Sequence, residues 1–161
     1  MSEKESFFTT WEREFQTTMK VLRAYPHDKL GLRPHERSRS AAELAWAFVV
    51  EEKLIDDIIK GQIDLQHLPQ SPATLDEIMA AFEKSHKELV PKVKNLSDGD
   101  FNKSIPFFVA PKQMGDVRRG DLFWMMLMDS VHHRGQFSVY LRMAGGKVPS
   151  IYGPSADEPW M

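Results

Sequence analysis

Cysteine is absent from the 161-residue sequence. This absence excludes disulfides, thiolate metal ligands and a cysteine nucleophile, so any metal ion must be held by nitrogen and oxygen atoms. The sequence also lacks an uninterrupted apolar run of the roughly 18 residues that cross a bilayer. Its first residues, MSEKESFF, lack the apolar core of a secretory signal. We therefore expect a cytoplasmic protein with no membrane partner.

Neither sign of charge is in large excess. The formal net charge is -2 at pH 7, and 27% of the residues are charged. Without a strongly basic surface, binding to nucleic acid is not expected. A chain of this length can bury one good hydrophobic core, so we expect a single domain over residues 1–161.

Apolar residues recur at three- and four-residue steps in four segments, which is typical of amphipathic α-helices. The second and third segments begin with capping boxes, in which a hydroxyl and a glutamate side chain satisfy free backbone amides. The segments are Ser6–Tyr25, Ser40–Lys60, Thr74–Leu96 and a last one from a cap at Asp116 to Gly145.

The stretch between the third and fourth segments, residues 95–119, has no clear helical period. It contains Pro106, Pro111 and an apolar patch at residues 105–110. We interpret it as a structural crossover that packs across the helices, rather than as a lid. Four helices with one long connection before the last predict an all-α four-helix bundle, in which inward residues of neighbouring helices build sites.

A polar group interrupts the apolar pattern of the last helix. At about 100° per residue, Asp129, His132, His133 and Gln136 fall in one sector roughly 100° wide. Asp129 and His133 are four residues apart, a spacing that allows two side chains to share one metal ion. The alternative is a hydrogen-bonded core cluster without a ligand. For His86, alone on the apolar stripe of the third helix, a satisfied core position is the preferred interpretation.

Glu51 is a further inward carboxylate, on the second helix. It falls near the middle of the apolar stripe, whereas Glu52 lies at the edge and Asp57 points away. If the second helix packs beside the fourth, Glu51 joins Asp129 and His133 in a set that suits Zn, Ni, Fe or Mn. Alternatively, Glu51 reaches solvent or pairs with a basic residue.

Several motifs near the end of the chain resemble the DinB-like (DinB/YfiT) family. They are HHRGQ at residues 132–136, YLR at 140–142, GGKVP at 145–149 and YGP at 152–154, together with residues 40–51 and 105–107. The resemblance implies an up-down-down-up four-helix bundle, commonly a homodimer, with a divalent metal held by three histidines. Characterised members of this family include thiol-dependent transferases and a maleylpyruvate isomerase.

Only one of the three family histidines has a direct match. His133 corresponds to the last of them, Asp129 stands where the second is expected, and Ala47 stands at the place of the first. From helix geometry, Asp129 can replace an imidazole as ligand. Glu51 lies one turn beyond Ala47 on the same side of its helix and can reach the same place.

Three functions remain open on this sequence. The first is a divalent-metal-dependent enzyme of transferase or hydrolase type, acting on a small molecule. In it, Asp129, His133 and Glu51 hold the metal, while His132 and Gln136 handle protons or support the ligands. The second is a metal-free protein that binds a small ligand in the same cleft. The third is a dimeric scaffold in which the polar cluster fixes helix register.

Overall fold

The computed structural model describes all residues from 1 to 161, and most of them are helical. In chain order, the elements are α1 (Glu3–Arg23), α2 (Ala41–Lys60), α3 (Leu75–Asn95), α4 (Asp98–Asn102), β1 (Ser104–Ala110), β2 (Gln113–Arg118) and α5 (Arg119–Met143). One turn of 3-10 helix, His27–Lys29, follows α1. None of the helices combines the length and the apolar character needed to cross a bilayer.

The first three long helices all begin with a capping box. The boxes predicted at Ser40 and Thr74 are confirmed, with Glu43 and Glu77 as the reciprocal partners. A third box, formed by Ser2 and Glu5, starts α1 earlier than the predicted Ser6. These caps satisfy backbone amides that the first helical turn leaves free, so local sequence sets where each helix begins.

The four long helices pack in a closed ring, in which α2 contacts α3 and α5, and α1 contacts the same two helices. Two hydrophobic clusters fill the interior. Each long helix supplies one half to each cluster. Buried polar residues separate the two halves, and together we call them the polar layer. Its members are Glu14, Glu51, Glu52, His86 and Arg134, all at most 5% exposed, together with the partly buried His133.

The predicted all-α class is wrong in one region, because within the crossover β1 and β2 form an antiparallel hairpin. Ile105 lies opposite Val117, and the turn at Pro111 and Lys112 places Lys112 at φ 61°. β1 contains Pro106, which is tolerated because a two-stranded sheet has only edge strands. The predicted helix cap at Asp116 is also wrong: this residue lies in β2, and α5 begins at Arg119.

Candidate functional site

Glu51, Asp129 and His133 come together at the level of the polar layer. α2 supplies Glu51, and α5 supplies Asp129 and His133 from consecutive turns. Nδ1 of His133 lies 2.5 Å from Oε1 of Glu51 and 3.8 Å from Oδ2 of Asp129. One potential ligand atom from each side chain lies within 4.8 Å of the others. The predicted convergence is therefore present, while the role of the three residues as metal ligands stays a prediction.

Within this trio, the side chain of Glu51 is the most buried and that of Asp129 is the most exposed. The side chain of Glu51 is 7% exposed, that of His133 12% and that of Asp129 48%. Burial raises the pKa of the Glu51 carboxyl, although the hydrogen bond with His133 opposes this shift. The same hydrogen bond raises the pKa of His133 against the effect of its burial. Both shifts favour a proton held between Oε1 of Glu51 and Nδ1 of His133.

The Glu51 carboxylate retains an unsatisfied oxygen. Its Oε2 is buried and has no hydrogen-bond partner, and the same is true of Oε2 of Glu52. Both glutamates line an internal cavity of about 10 Å³, which is close to the space that one water molecule requires. Leaving a buried carboxylate oxygen unpaired is costly. By donor type, the two carboxylates and the imidazole of the trio fit a divalent cation, and Glu51 is the member with an oxygen left unpaired.

His132 and Gln136 lie close to the trio but form no hydrogen bond with it. They bond to each other, with Nε2 of Gln136 3.1 Å from Nε2 of His132. The two imidazole rings of His132 and His133 have centroids 5.7 Å apart. His132 borders a surface depression together with Asp129 and Phe107. Gln136 borders a separate cleft together with His133, so their proposed catalytic roles remain predictions.

That cleft has a volume of about 510 Å³ and opens beside His133. Its lining residues are Pro34, Ser38, Arg39, Leu44, His133, Gln136, Val139 and Tyr140. Nη1 of Arg39 donates to Nε2 of His133 at 3.1 Å. The hydroxyl of Tyr140 donates to the backbone carbonyl of Arg39 at 2.8 Å. This bond fixes the loop before α2 against α5.

The family model that describes the DinB family matches residues 1–160. The chain belongs to the DinB family. The uncharacterised protein YrdA of Bacillus subtilis (strain 168) is 26% identical over 157 residues, which cover 96% of this chain and 90% of that protein.

Two solved DinB-like proteins share the fold. The crystal structure of one from Bacillus cereus ATCC 10987 aligns with a TM-score of 0.78 at 21% identity, covering 92% of this chain and 97% of that chain. That of YjoA from Bacillus subtilis aligns with a TM-score of 0.73 at 18% identity, covering 97% and 99%.

In this DinB-family chain, Arg134 of the HHRGQ motif is a buried structural residue. Only 2% of it is exposed, and its Nη2 donates to Oε2 of Glu14 at 2.7 Å. Tyr152, beyond the end of α5, donates to the same oxygen at 2.6 Å. Burial alone would raise the pKa of Glu14, but the bonds from Tyr152 and Arg134 outweigh it and lower that pKa. The residue after His133 thereby ties α5 to α1 and to the C-terminal segment.

His86 is a hydrogen-bonded core residue, as predicted. Its Nδ1 lies 3.2 Å from Oε1 of Glu52, its Nε2 lies 2.6 Å from Oε1 of Glu12, and its ring stacks on Phe15 at 3.7 Å. The prediction that Glu52 lies at the edge of the apolar stripe is wrong, because the bond from His86 and one from Trp11 hold its side chain inside.

Asp57, predicted to point away from the core, is also buried. The chain after α2 folds back over it, so that its Oδ2 accepts hydrogen bonds from Nζ of Lys53 at 2.5 Å and from the backbone amide of Asp64 at 3.0 Å. Gly61, at φ 87°, makes this reversal at the helix end.

Sequence reasoning missed Arg39 as a residue of the site. A signal was present, because the connection between α1 and α2 reads RPHERSR over residues 33–39 and carries three arginines. Periodicity gives no information about where a loop folds, so the contact between Arg39 and His133 was not visible in the pattern.

Proposed function

We propose that this chain binds one divalent metal ion through Glu51, Asp129 and His133 and acts as a transferase or hydrolase on a small molecule held in the adjacent cleft. The observation that carries this proposal is the approach of three donor side chains to within 4.8 Å, with a buried oxygen of Glu51 still unpaired. When bound, a divalent ion supplies Lewis-acid chemistry and lowers the pKa of a ligated group.

The residues around the trio have distinct tasks in this proposal. Glu51 provides a buried negative charge and, without the ion, orients the imidazole of His133 through the 2.5 Å hydrogen bond to Nδ1. An ion held by both residues would replace the proton of that bond. Asp129, half exposed, leaves one side of the site open to solvent and ligand. Gln136 orients the ligand from the cleft wall and donates a hydrogen bond to His132, and the exposed imidazole of His132 is the group that exchanges protons with solvent.

The family resemblance also supports a more detailed architecture. We propose one domain over residues 1–161 whose long helices form an up-down-down-up bundle. One hydrophobic cluster uses the C-terminal halves of α1 and α5 with the N-terminal halves of α2 and α3, and the other cluster uses the opposite halves. This sharing is expected if α2 and α3 run opposite to α1 and α5. The predicted homodimer, a scaffolding role and the cytoplasmic location stay predictions.

A second candidate function is metal-free binding of a small ligand in the same cleft. The contact between Arg39 and Nε2 of His133 favours it, because a cationic side chain already faces the imidazole. Ala47 favours it as well, since this residue supplies no ligand where the family resemblance implies a histidine. In this alternative, His133 forms part of the wall of a binding pocket and is held in place by its hydrogen bond to Glu51.

Metal analysis of the protein purified without chelators or nickel resin tests the first proposal. We expect about one equivalent of divalent metal, and calorimetric titration of the stripped protein should show binding that Glu51→Gln and Asp129→Asn weaken at least about tenfold. Glu83→Gln, an exposed residue of α3, is the matched control and should bind normally. Less than about a tenth of an equivalent, with no binding on reconstitution, would favour the metal-free alternative.

A further inference from the structure

We infer that the cleft beside His133 recognises the carboxylate of a small monoanionic ligand, and that Arg39 is the residue that binds it. This inference deepens the proposed function, on which it rests for placing the reacting end of the ligand near the trio. Anion binding by Arg39 does not itself need the metal ion, so the two proposals can fail separately.

The loop that borders the cleft is basic. Residues 33–39 contain Arg33, Arg37 and Arg39 against a single acid, Glu36. Arg33 is neutralised by Glu43, with Nη2 and Oε2 3.0 Å apart. Neither Arg37 nor Arg39 forms an ion pair, in contrast to Arg13, Arg118, Arg134 and Arg142. The mouth of the cleft therefore carries positive charge that the chain itself does not balance.

Among the residues that line the cleft, Arg39 is the only one with a permanent positive charge, and His133 is the only other basic side chain. The backbone of Arg39 is held by Tyr140, and the loop is held by bonds from the amides of Ala41 and Ala42 to the carbonyls of Leu32 and Leu30. One guanidinium hydrogen is used on His133. Four of the five N–H donors of this side chain have no acceptor within the chain.

A carboxylate is the anion that best matches this arrangement. The planar guanidinium presents two parallel N–H groups, which fit the two oxygens of a carboxylate. With only one guanidinium on the wall, and Asp129 3.8 Å from His133 on the far side of the imidazole, a second negative charge on the ligand is disfavoured. Both facts select a monoanion over a phosphate dianion.

The rest of the cleft wall favours an apolar body attached to that carboxylate. Leu44, Val139 and the ring of Tyr140 supply apolar surface, and Ser38 and Gln136 supply neutral hydrogen-bonding groups. The volume of about 510 Å³ lies within the range of small-molecule sites. A carboxylate bound to Arg39 also competes with Nε2 of His133 for the guanidinium. Ligand binding therefore weakens the hydrogen bond between Arg39 and His133.

Titration with benzoate tests this inference, with benzamide as the neutral compound of the same shape. Backbone amide spectra of the stripped protein should show benzoate shifting residues 38–40, 133 and 136 in the wild-type chain, with a dissociation constant in the millimolar range or below. Arg39→Gln should weaken benzoate about tenfold or more, because a charge-assisted bidentate contact is lost. Benzamide should bind weakly and equally to both proteins.

Arg37→Gln is the matched control, since it removes the same charge from the same loop outside the cleft lining. It should leave benzoate binding within about twofold of wild type, because a charge that does not contact the ligand acts only across solvent, where salt screens it. Arg39→Lys retains the charge without the planar fork and should give an intermediate loss. The spectra also report whether each variant is folded.

Several results would overturn the inference. Equal benzoate binding by wild type and Arg39→Gln, or equal losses in the Arg37 and Arg39 variants, would show that Arg39 has no specific role. Absence of shifts at about 10 mM benzoate, or tighter binding of inorganic phosphate than of benzoate, would show that the cleft does not select a carboxylate. Because the titration uses stripped protein, none of these results depends on whether the trio binds metal, which the elemental analysis decides.

Discussion

Buried carboxylates in this protein are stabilised by different partners, and the partner determines what each one can do. Glu14 receives two strong donors, Arg134 and Tyr152, which keep it ionised and structural. Glu51 receives the imidazole of His133 on one oxygen, and its other oxygen has no hydrogen-bond partner. A buried carboxylate with unused bonding capacity, next to an imidazole that lines a cleft, is a better candidate ligand than one whose oxygens are already engaged.

Glu14→Gln should destabilise the protein in a pH-dependent way. The bonds to Glu14 lower its pKa in the folded state below the ordinary value of 4.5. Its contribution is therefore complete above pH 4.5 and is lost as the pH falls through the folded-state value. We expect the variant to lose about 2 kcal/mol at pH 7, because Arg134 loses a charged partner.

Urea unfolding at pH 7 and in steps below pH 4.5 measures this dependence. The difference between wild type and variant should shrink as the pH falls. Glu83→Gln, on an exposed part of α3, should show little difference at either pH. A difference that stays constant or grows on acidification would contradict the assigned role of Glu14.

Among the elements, α5 contacts two other helices through consecutive polar residues. His133 bonds to Glu51 on α2, and Arg134 bonds to Glu14 on α1. This arrangement explains why the apolar pattern of α5 is interrupted: two polar contacts need adjacent sectors of one helix. On the other side of the ring, His86 joins α3 to Glu52 on α2, so polar bonds connect all four long helices at one level.

His86→Leu should cost about 2–3 kcal/mol, because Glu52 would lose its imidazole partner while remaining buried. The double variant His86→Leu/Glu52→Gln should recover most of this loss. Glutamine keeps an acceptor for Nε1 of Trp11 without burying a charge. Chemical unfolding of the single and double variants gives both numbers.

His67→Leu is a suitable comparison for the His86 variant, because the side chain of His67 is 80% exposed. It should change the free energy of unfolding by no more than about 0.5 kcal/mol. If the double variant were as unstable as His86→Leu alone, the loss would come from packing against Phe15 rather than from the carboxylate.

For the whole molecule, binding of a ligand to the folded state must raise the unfolding temperature. At about one hundred times the dissociation constant, a divalent metal adds about 2.7 kcal/mol, or roughly 5–11 °C for a domain of this size. Calorimetric scans with Zn²⁺ or Mn²⁺ should show this rise, and a chelator should reverse it. Glu51→Gln should respond far less, and a wild-type protein indifferent to both ions would contradict a metal function.

How far the sequence predicts this molecule depends on whether a feature is local. The capping boxes at Ser40 and Thr74 and the apolar periodicity are local, and they predicted the helices closely. The approach of Glu51 to His133 was predictable as well, because an inward carboxylate needs a partner and few inward polar groups were available.

Features that depend on tertiary contacts were not visible in the pattern. The hairpin at residues 104–118 is stabilised by strand pairing that overrides the presence of Pro106. Asp57 is buried because the chain beyond Gly61 returns over it. Arg39 lies at the cleft because a long loop packs on α5. Each of these outcomes is decided by residues far apart in the chain, so periodicity within one segment cannot indicate them.

The adjacent orientations of His133 and Arg134 limit how this gene can change over time. Insertion or loss of one codon in α5 between Asp129 and His133 would rotate the following residues by about 100°, so that the imidazole and the guanidinium would each meet the wrong helix. Lineages carrying such a change would lose the site and a structural ion pair together. Length variation among descendants should therefore be confined to exposed connections such as residues 70–73, where no such alignment has to be kept.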